Sequence, residues 1–411
     1  MSVVHPSRRA WTARGARVGA LAATLAVLGA CADSITPTSP VGGANASVAT
    51  SATPNASVPD VVRRVHLNMT GRPYGGYIVT SLTLGDTAYA VAFDTTGKVA
   101  WYRAFPGYSG SSDAYLQPNG DMTLGLGASR GWEPVPGFHQ EFRPATGAPV
   151  KQWAAPSGYY TDLHEIRVGS GSKPTYLFGY DIKPMDLRPR GGADNTPTAG
   201  HTIFSVDASG NAKPVFVSRD HFTTADWINP ETLIQDYDHP NSIDVDTDGG
   251  LIVSWRNFDE VSKIDPNTGQ FVWRLGGRHS QFTFVNDPFN GFSGQHFARV
   301  LANGNVLLYD DGNAHAPKES RAAEYKLDPV AHTATLVWQY RHSPAIYTPF
   351  VGSAQRLPNG NTVVGFGNVG VVTEVTSSGS VVWEGTLSVD GKTGVLAYRL
   401  LKYTSLGHFQ P

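Results

Sequence analysis

A short phrase recurs along this chain: a turn, then a strand that ends on an aromatic residue. It reads Thr96-Gly97-Lys98-Val99-Ala100-Trp101, Thr146-Gly147-Ala148-Pro149-Val150-Lys151-Gln152-Trp153, Thr268-Gly269-Gln270-Phe271-Val272-Trp273 and Ser378-Gly379-Ser380-Val381-Val382-Trp383. A weaker copy ends at Trp338, and Ser209-Gly210 leading to Phe216 fills the remaining slot. A second phrase is a hairpin on an Asn-Gly turn, at Asn119-Gly120, Asn303-Gly304 and Asn359-Gly360, with Asp248-Gly249 as a variant. Such pairs tolerate the positive φ that tight hairpins require. Between the phrases, short runs of Val, Ile, Tyr, Phe, Trp and Thr alternate with Gly, Asn, Asp and Pro. No long stretch shows a 3.6-residue apolar period. Repeats of roughly 45 to 65 residues, each worth about four strands, mark propeller blades, because one such sheet cannot bury its own faces and must stack on neighbours. The expectation is an all-β chain folded as a six-bladed β-propeller, with the tryptophans in the core between blades.

In a propeller the inner strand of each blade starts near the axis, so the residues just before it line one mouth of the channel. In the third unit the inner strand is expected to follow Asp162-Leu163-His164-Glu165-Ile166. In the fourth it follows Asp238-His239-Pro240-Asn241-Ser242-Ile243, and in the fifth Gly294-Gln295-His296-Phe297-Ala298-Arg299. The sixth unit has Gly352-Ser353-Ala354-Gln355-Arg356 there instead. Three histidines thus share one register in consecutive blades, with Arg256 on the strand after His239. Arginine offers a planar fork to oxyanions, and histidine can donate hydrogen bonds, shuttle protons or attack as a nucleophile. Such a cluster suits a tetrahedral oxyanion. Three histidines can also hold zinc, but a guanidinium in the cluster would repel the ion, so no metal is expected. Asp310 and Asp311, before Gly312, read as a turn, and His279, His315, His332 and His342 as solvated. The Phe-rich stretch 278–293 either shapes an aromatic pocket over the mouth or packs on the blades. Asp181 to Gly200, rich in Pro and Gly, reads as an irregular excursion.

The N-terminus belongs to export rather than to the fold. Arg8, Arg9, Arg14 and Arg17 precede the apolar run Val18 to Leu28, which is too short for a stable membrane span and has the basic flank of a secretory signal. Leu28-Gly29-Ala30-Cys31 resembles the lipobox of bacterial lipoproteins, so lipidation is expected at Cys31. That cysteine is the only one in the chain, which excludes an intramolecular disulfide. From Ala32 to about Asp60, Ser, Thr, Ala, Pro, Gly and Asn dominate, the composition of a disordered tether. The expected organisation is a signal peptide over 1–30, a linker with lipidated Cys31 over 31–60 and the propeller over 61–411. The protein would be exported and held in the bacterial cell envelope by its lipid. A formal net charge of −2 and no basic run after the signal leave no electrostatic footprint for nucleic acid.

Asp238-His239-Pro240-Asn241-Ser242-Ile243, Val253-Ser254-Trp255-Arg256, the segment Gly269 to Gly277, and Gly294-Gln295-His296-Phe297-Ala298-Arg299 through Tyr309-Asp310-Asp311-Gly312-Asn313 resemble the arylsulfotransferase family. The resemblance is dense from about His164 to Asn313. It implies a six-bladed propeller that moves a sulfuryl group from a phenolic sulfate ester to a phenol, with neither a nucleotide donor nor a cofactor. It implies that His296 is the nucleophile and carries a transient sulfohistidine, while His164, His239 and Arg256 bind the sulfuryl oxygens. A histidine among them would protonate the leaving phenoxide. Substrate contacts are expected at Asn241 and Phe292. A second class stays open. Asp265-Pro266-Asn267-Thr268-Gly269-Gln270-Phe271-Val272-Trp273 also looks like the repeat of quinoprotein-type propellers, some of which are envelope scaffolds that only bind. The quinone enzymes commonly carry a vicinal disulfide, which this chain cannot form.

Overall fold

The computed structural model describes residues 59–128, 136–228 and 236–406. The segments expected to be signal peptide and linker, Cys31 among them, lie almost wholly outside them. The described chain forms six antiparallel sheets arranged as propeller blades, as the repeated phrases imply. Blade two runs outward from the axis as Gly110–Leu116, Met122–Gly127, Phe138–Phe142 and Pro149–Trp153. Blade three is Tyr160–Arg167, Thr175–Met185, Thr196–Val206 and Ala212–Val217, and blade four is Pro240–Val245, Leu251–Trp255, Glu260–Asp265 and Gln270–Gly276. Blade five is His296–Val300, Val306–Asp310, Arg321–Asp328 and Thr333–Arg341. Its outer edge gains Thr283–Val285, which pairs in parallel with the outer strand.

The ring closes twice. Leu401–Tyr403, near the C-terminus, is the inner strand of blade one, beside Tyr77–Leu84, Thr87–Phe93 and Val99–Pro106. Val65–Gly71 is a fifth, outermost strand of blade six, beyond Ser353–Arg356, Thr362–Phe366, Val371–Val375 and Val381–Val389. Pairing the two ends of the chain into sheets leaves neither end blade with a free seam.

The aromatic phrase ends on the fourth strand of every blade, at Trp101, Trp153, Phe216, Trp273, Trp338 and Trp383. Trp101, Trp153, Phe216 and Trp383 are buried, whereas Trp273 and Trp338 are half-buried at the rim. Two indoles tie neighbouring blades together: Trp101 Nε1 donates to the Pro144 carbonyl at 3.0 Å and Trp338 Nε1 to that of Ser377 at 2.9 Å. The apolar core is six clusters, one per blade seam. The Asn-Gly turns join inner to second strands, with Gly120, Gly304 and Gly360 at φ +86°, +81° and +85°. An asparagine at the turn reaches back to a glutamate on the third strand, Asn119 to Glu141 at 2.8 Å and Asn361, the residue after Gly360, to Glu374 at 2.7 Å. Inner strands therefore run from the histidine mouth towards the hairpin end.

Two expectations about the chain path need correction. Asp181 to Gly200 is a regular overhanging hairpin, paired from Thr175↔Val206 out to Met185↔Thr196 and closed by a short 3-10 turn at Arg188–Arg190. Asp162 to Ile166 lies within the inner strand of blade three, where Leu177 faces Ile166 but Gly179 faces Thr161. Several residues thus bulge into the channel opposite one. Similar slips occur at Ser112/Tyr115, Pro240/Ser242 and His296/Arg299. Bulges re-aim side chains and bend strands, here around the axis.

These bulges fill the channel beside the histidines with a buried ion network. Arg399 pairs with Asp113 and reaches Glu165 Oε2 at 3.0 Å, and Arg299 and Arg167 each reach Glu165 Oε1 at 2.6 Å. The Arg299 and Arg399 guanidiniums lie 3.6 and 4.6 Å from the Phe297 ring centroid.

Candidate functional site

The sequence places His164, His239 and His296 at one register, and the fold brings them to one mouth of the channel. His164 sits in the bulge of blade three and His239 immediately before the inner strand of blade four. Their rings meet edge to face at 4.6 Å. His296 opens the inner strand of blade five and is almost wholly buried, at 2% exposure, whereas His164 and His239 remain half-buried. Arg256 is the first residue of a 3-10 turn just after the second strand of blade four, not on that strand. Its backbone N–H donates to the His239 carbonyl at 3.0 Å, and its Nη2 to the Pro349 carbonyl at 2.9 Å. Its buried Nε makes no protein hydrogen bond among the described residues.

Each of the three histidines is oriented by its own aspartate. His296 Nδ1 is 2.6 Å from Asp311 Oδ2, His164 Nδ1 is 2.9 Å from both oxygens of Asp162, and His239 Nδ1 bonds Asp236. A carboxylate only accepts, so each Nδ1 carries the proton. For His296 this leaves a lone pair on Nε2, and the Val351 N–H donates to it at 3.3 Å. Val351 holds φ +57°, a rare conformation for a β-branched residue that costs energy and is often found at functional sites.

Electrostatics keep the His296 ring neutral. Burial, then the Arg256 charge, His239 and His164 hold its pKa well below the usual histidine value. Burial likewise lowers that of His239, outweighing Asp236. Burial also takes His139, whose Nε2 lies 3.0 Å from the Asp162 carbonyl, down to about 4. Below the unfolded value of 6.5 the unfolded chain binds protons that these buried rings refuse, so stability falls as pH falls. His201 does not offset this, because a raised pKa gives its full contribution below 6.5 and loses it towards about 10. Asp113 works the other way, because burial raises its carboxyl to about 6 and the folded chain gains stability by taking up that proton. The share of the histidines is therefore read by difference: the slope of melting temperature on pH between about pH 5 and about pH 7 should be less positive in His139→Asn than in wild type, and an equal or steeper slope would contradict neutral burial of that ring.

The aspartates are what sequence reasoning missed. Asp311, taken as part of a turn, is the partner of His296. Asp310 does serve the turn, accepting the Ser293 and Gly312 N–H groups at 3.0 Å, and also pairs with Arg321. The pattern Asp162-Leu163-His164 and the Asp236 to His239 run held the signal for the other two. His315 is buried rather than solvated, stacked on Phe289 at 4.0 Å and 3.3 Å from Asp310. His342 is likewise enclosed, 2.6 Å from Glu384. The stretch 278–293 packs on the blades. Phe292 is part of the core between blades four and five, against Phe284 and Tyr325, and does not stand with the histidines. Asn241 is fully buried, and its Nδ2 donates to the Gln295 carbonyl at 2.8 Å, bracing the residue before His296. Among the described residues no group of three or more His, Cys, Asp or Glu side chains is placed to hold a metal ion.

A neutral imidazole with a fixed lone pair, faced by two further imidazoles and a guanidinium, can attack an electrophile whose oxygens those groups hold. The fold and this mouth define a six-bladed propeller with three histidines and an arginine gathered at one end of its channel. Residues 148–388, more than half of the chain, match the family model for arylsulfotransferase (ASST), and the chain belongs to that family. No curated protein matches it in sequence. Solved structures with a similar fold include a protein of unknown function from Bacteroides caccae, 16% identical with a TM-score of 0.49, covering 80% of this chain and 99% of that one. A protein from Lactobacillus plantarum is 13% identical at TM-score 0.40, covering 80% and 100%. Streptogramin B lyase is 12% identical at 0.39, covering 83% and 88%. At these scores the likenesses carry no argument about the site.

Proposed function

We propose that the protein transfers a sulfuryl group from a phenolic sulfate ester to a phenol through a sulfohistidine on His296. One observation carries this reading: His296 is buried, bonded to Asp311 through Nδ1 at 2.6 Å, and so presents an unprotonated Nε2. In the first half-reaction that lone pair attacks sulfur. The bond between sulfur and the aryl oxygen breaks, and its electron pair leaves with the phenoxide. His164, with Nδ1 fixed by Asp162, gives the phenoxide a proton from Nε2 when its ring is charged, whereas His239, held neutral with its proton on Nδ1, has none to give. In the second half-reaction an acceptor phenol returns that proton and attacks sulfur, and the N–S bond breaks to restore the His296 lone pair.

Sulfuryl transfer spreads negative charge over the moving oxygens, so preorganised donors and cations supply most of the catalysis. Arg256 and the two half-buried histidines are the groups available for those oxygens. The chain's place in the arylsulfotransferase family supports the same chemistry and disfavours a propeller that only binds. The test is turnover of 4-nitrophenyl sulfate with phenol as acceptor. Release of nitrophenolate that depends on acceptor, with parallel double-reciprocal lines, is the expected result for a covalent intermediate. Absence of nitrophenolate release across several phenols, or intersecting lines, would count against it.

A further inference from the structure

His201, on the third strand of blade three, lies behind the mouth and has no part in the steps above. Its ring is buried between two carboxylates. Nδ1 is 2.5 Å from Asp238 Oδ1 and Nε2 is 3.3 Å from Asp162 Oδ2. The side chains of Asp238 and Asp162 are 0% and 9% exposed. Carboxylates are acceptors only, so a ring with one on each nitrogen satisfies both contacts only when both nitrogens carry protons. A neutral tautomer would set a lone pair against a buried carboxylate. Asp238 is itself pinned, accepting the backbone N–H groups of His201 and His239 at 2.9 Å. Asp162 is the carboxylate that also holds His164 Nδ1.

We infer that His201 is a standing imidazolium that shares Asp162 with His164, aiming the His164 ring at the mouth and moderating the hold of Asp162 on its proton. It is a positioning residue, acting through Asp162 and touching no reacting atom. The inference rests on the sulfuryl-transfer reading for its kinetic consequence, though not for the charge itself. Around His201 stand Asp238 and Asp236 from the lead-in to blade four, Asp162 from the inner strand, and the Tyr180 ring at 5.4 Å on the adjacent strand. His164 is faced by Asp162, by His239 and Asp236, by Tyr398 at 5.9 Å, and by His139 and His296. The electrostatics agree: burial opposes the charge on His201, but Asp238 and Asp162 outweigh it and push its pKa up to about 10.

The sign of the effect is fixed by charge. Removing a cation beside Asp162 strengthens the attraction of that carboxylate for the His164 proton. A proton donor that holds its proton harder gives it to phenoxide more slowly, and the pH dependence of that step moves upward. Two measurements test this. In the full chain labelled with 15N-histidine, His201 should show both ring nitrogens protonated at neutral pH and still at about pH 9, below its value of about 10. A neutral His201 at pH 7 overturns the inference, and this reading needs neither a variant nor activity. In His201→Asn, kcat for the nitrophenyl ester should fall about threefold on the low-pH plateau, where the donor is fully charged, with the alkaline limb of the pH profile displaced upward and KM little changed. His201→Lys should restore part of both. A loss of rate with an unmoved pH profile would mean a merely structural role and would overturn the inference. If the protein moves no sulfuryl group at all, the 15N shifts of the His201 ring still report its charge, so the two readings fail separately.

Discussion

His296→Asn should remain folded and release nitrophenolate from 4-nitrophenyl sulfate at about 10⁻⁴ of the wild-type rate or less. Asparagine is the informative replacement because its amide can still donate to Asp311 where Nδ1 did, which spares that buried carboxylate from losing its partner. What it lacks is a nucleophilic lone pair at the Nε2 position. Arg256, His164 and His239 stay in place, so the variant should still bind sulfate esters with KM within a few-fold of wild type. A variant that folds and binds but retains most of its turnover would remove His296 from the role of carrier.

Asp311→Asn is the second large effect, and it separates orientation from nucleophilicity. Asp311 has 0% side-chain exposure and sits 2.6 Å from Nδ1. As a carboxylate it accepts the Nδ1 proton and so assigns the lone pair to Nε2. An amide in its place can donate instead, which stabilises the other tautomer, with Nδ1 unprotonated and the proton on Nε2. The nucleophile is then blocked without any change in shape. For a triad histidine the same exchange lowers kcat by about 10⁴, and a drop of about 10³ or more is expected here. The loss should appear in kcat and not KM, with a melting temperature near that of wild type measured by scanning calorimetry. Loss confined to KM would place Asp311 in substrate binding instead.

The blade count was legible because each blade advertises itself locally. An Asn-Gly pair needs only its own backbone to make a hairpin, and the phrase ending at Trp101 or Trp383 needs only its own strand. Closure was not legible. Leu401–Tyr403 pairs with Tyr77 to Val79, and Val65–Gly71 with the strand ending at Val389, and nothing local in either segment names so distant a partner. Asp181 to Gly200 misled for a physical reason. Pro184 and Pro197 face each other on the overhang of the blade-three hairpin, beyond the Tyr180↔Tyr160 pair where the inner strand stops. Proline is tolerated in such an edge because no further strand needs its N–H.

The candidate site divides in the same way. His164, His239 and His296 were visible because propeller register turns equal positions in successive repeats into neighbours in space. Their aspartates were harder. Asp236 and Asp162 lie within three residues of their histidines, whereas Asp311 lies just past the end of the next strand and is hidden beside Asp310, which does hold the turn. His201 had no signal, since it sits on a third strand, a layer the register argument does not reach. Phe292 shows the opposite error. Its place beside a site motif suggests a substrate contact, while blades four and five bury it in their shared core.

The most direct test of the central claim is to mix the enzyme with 35S-labelled 4-nitrophenyl sulfate without an acceptor, quench in base and map the label. The account expects about one label per chain on the peptide containing His296. That label should be lost in acid and discharged onto added phenol as fast as turnover. No covalent label, label on a peptide without His296, or label that phenol does not discharge would contradict it.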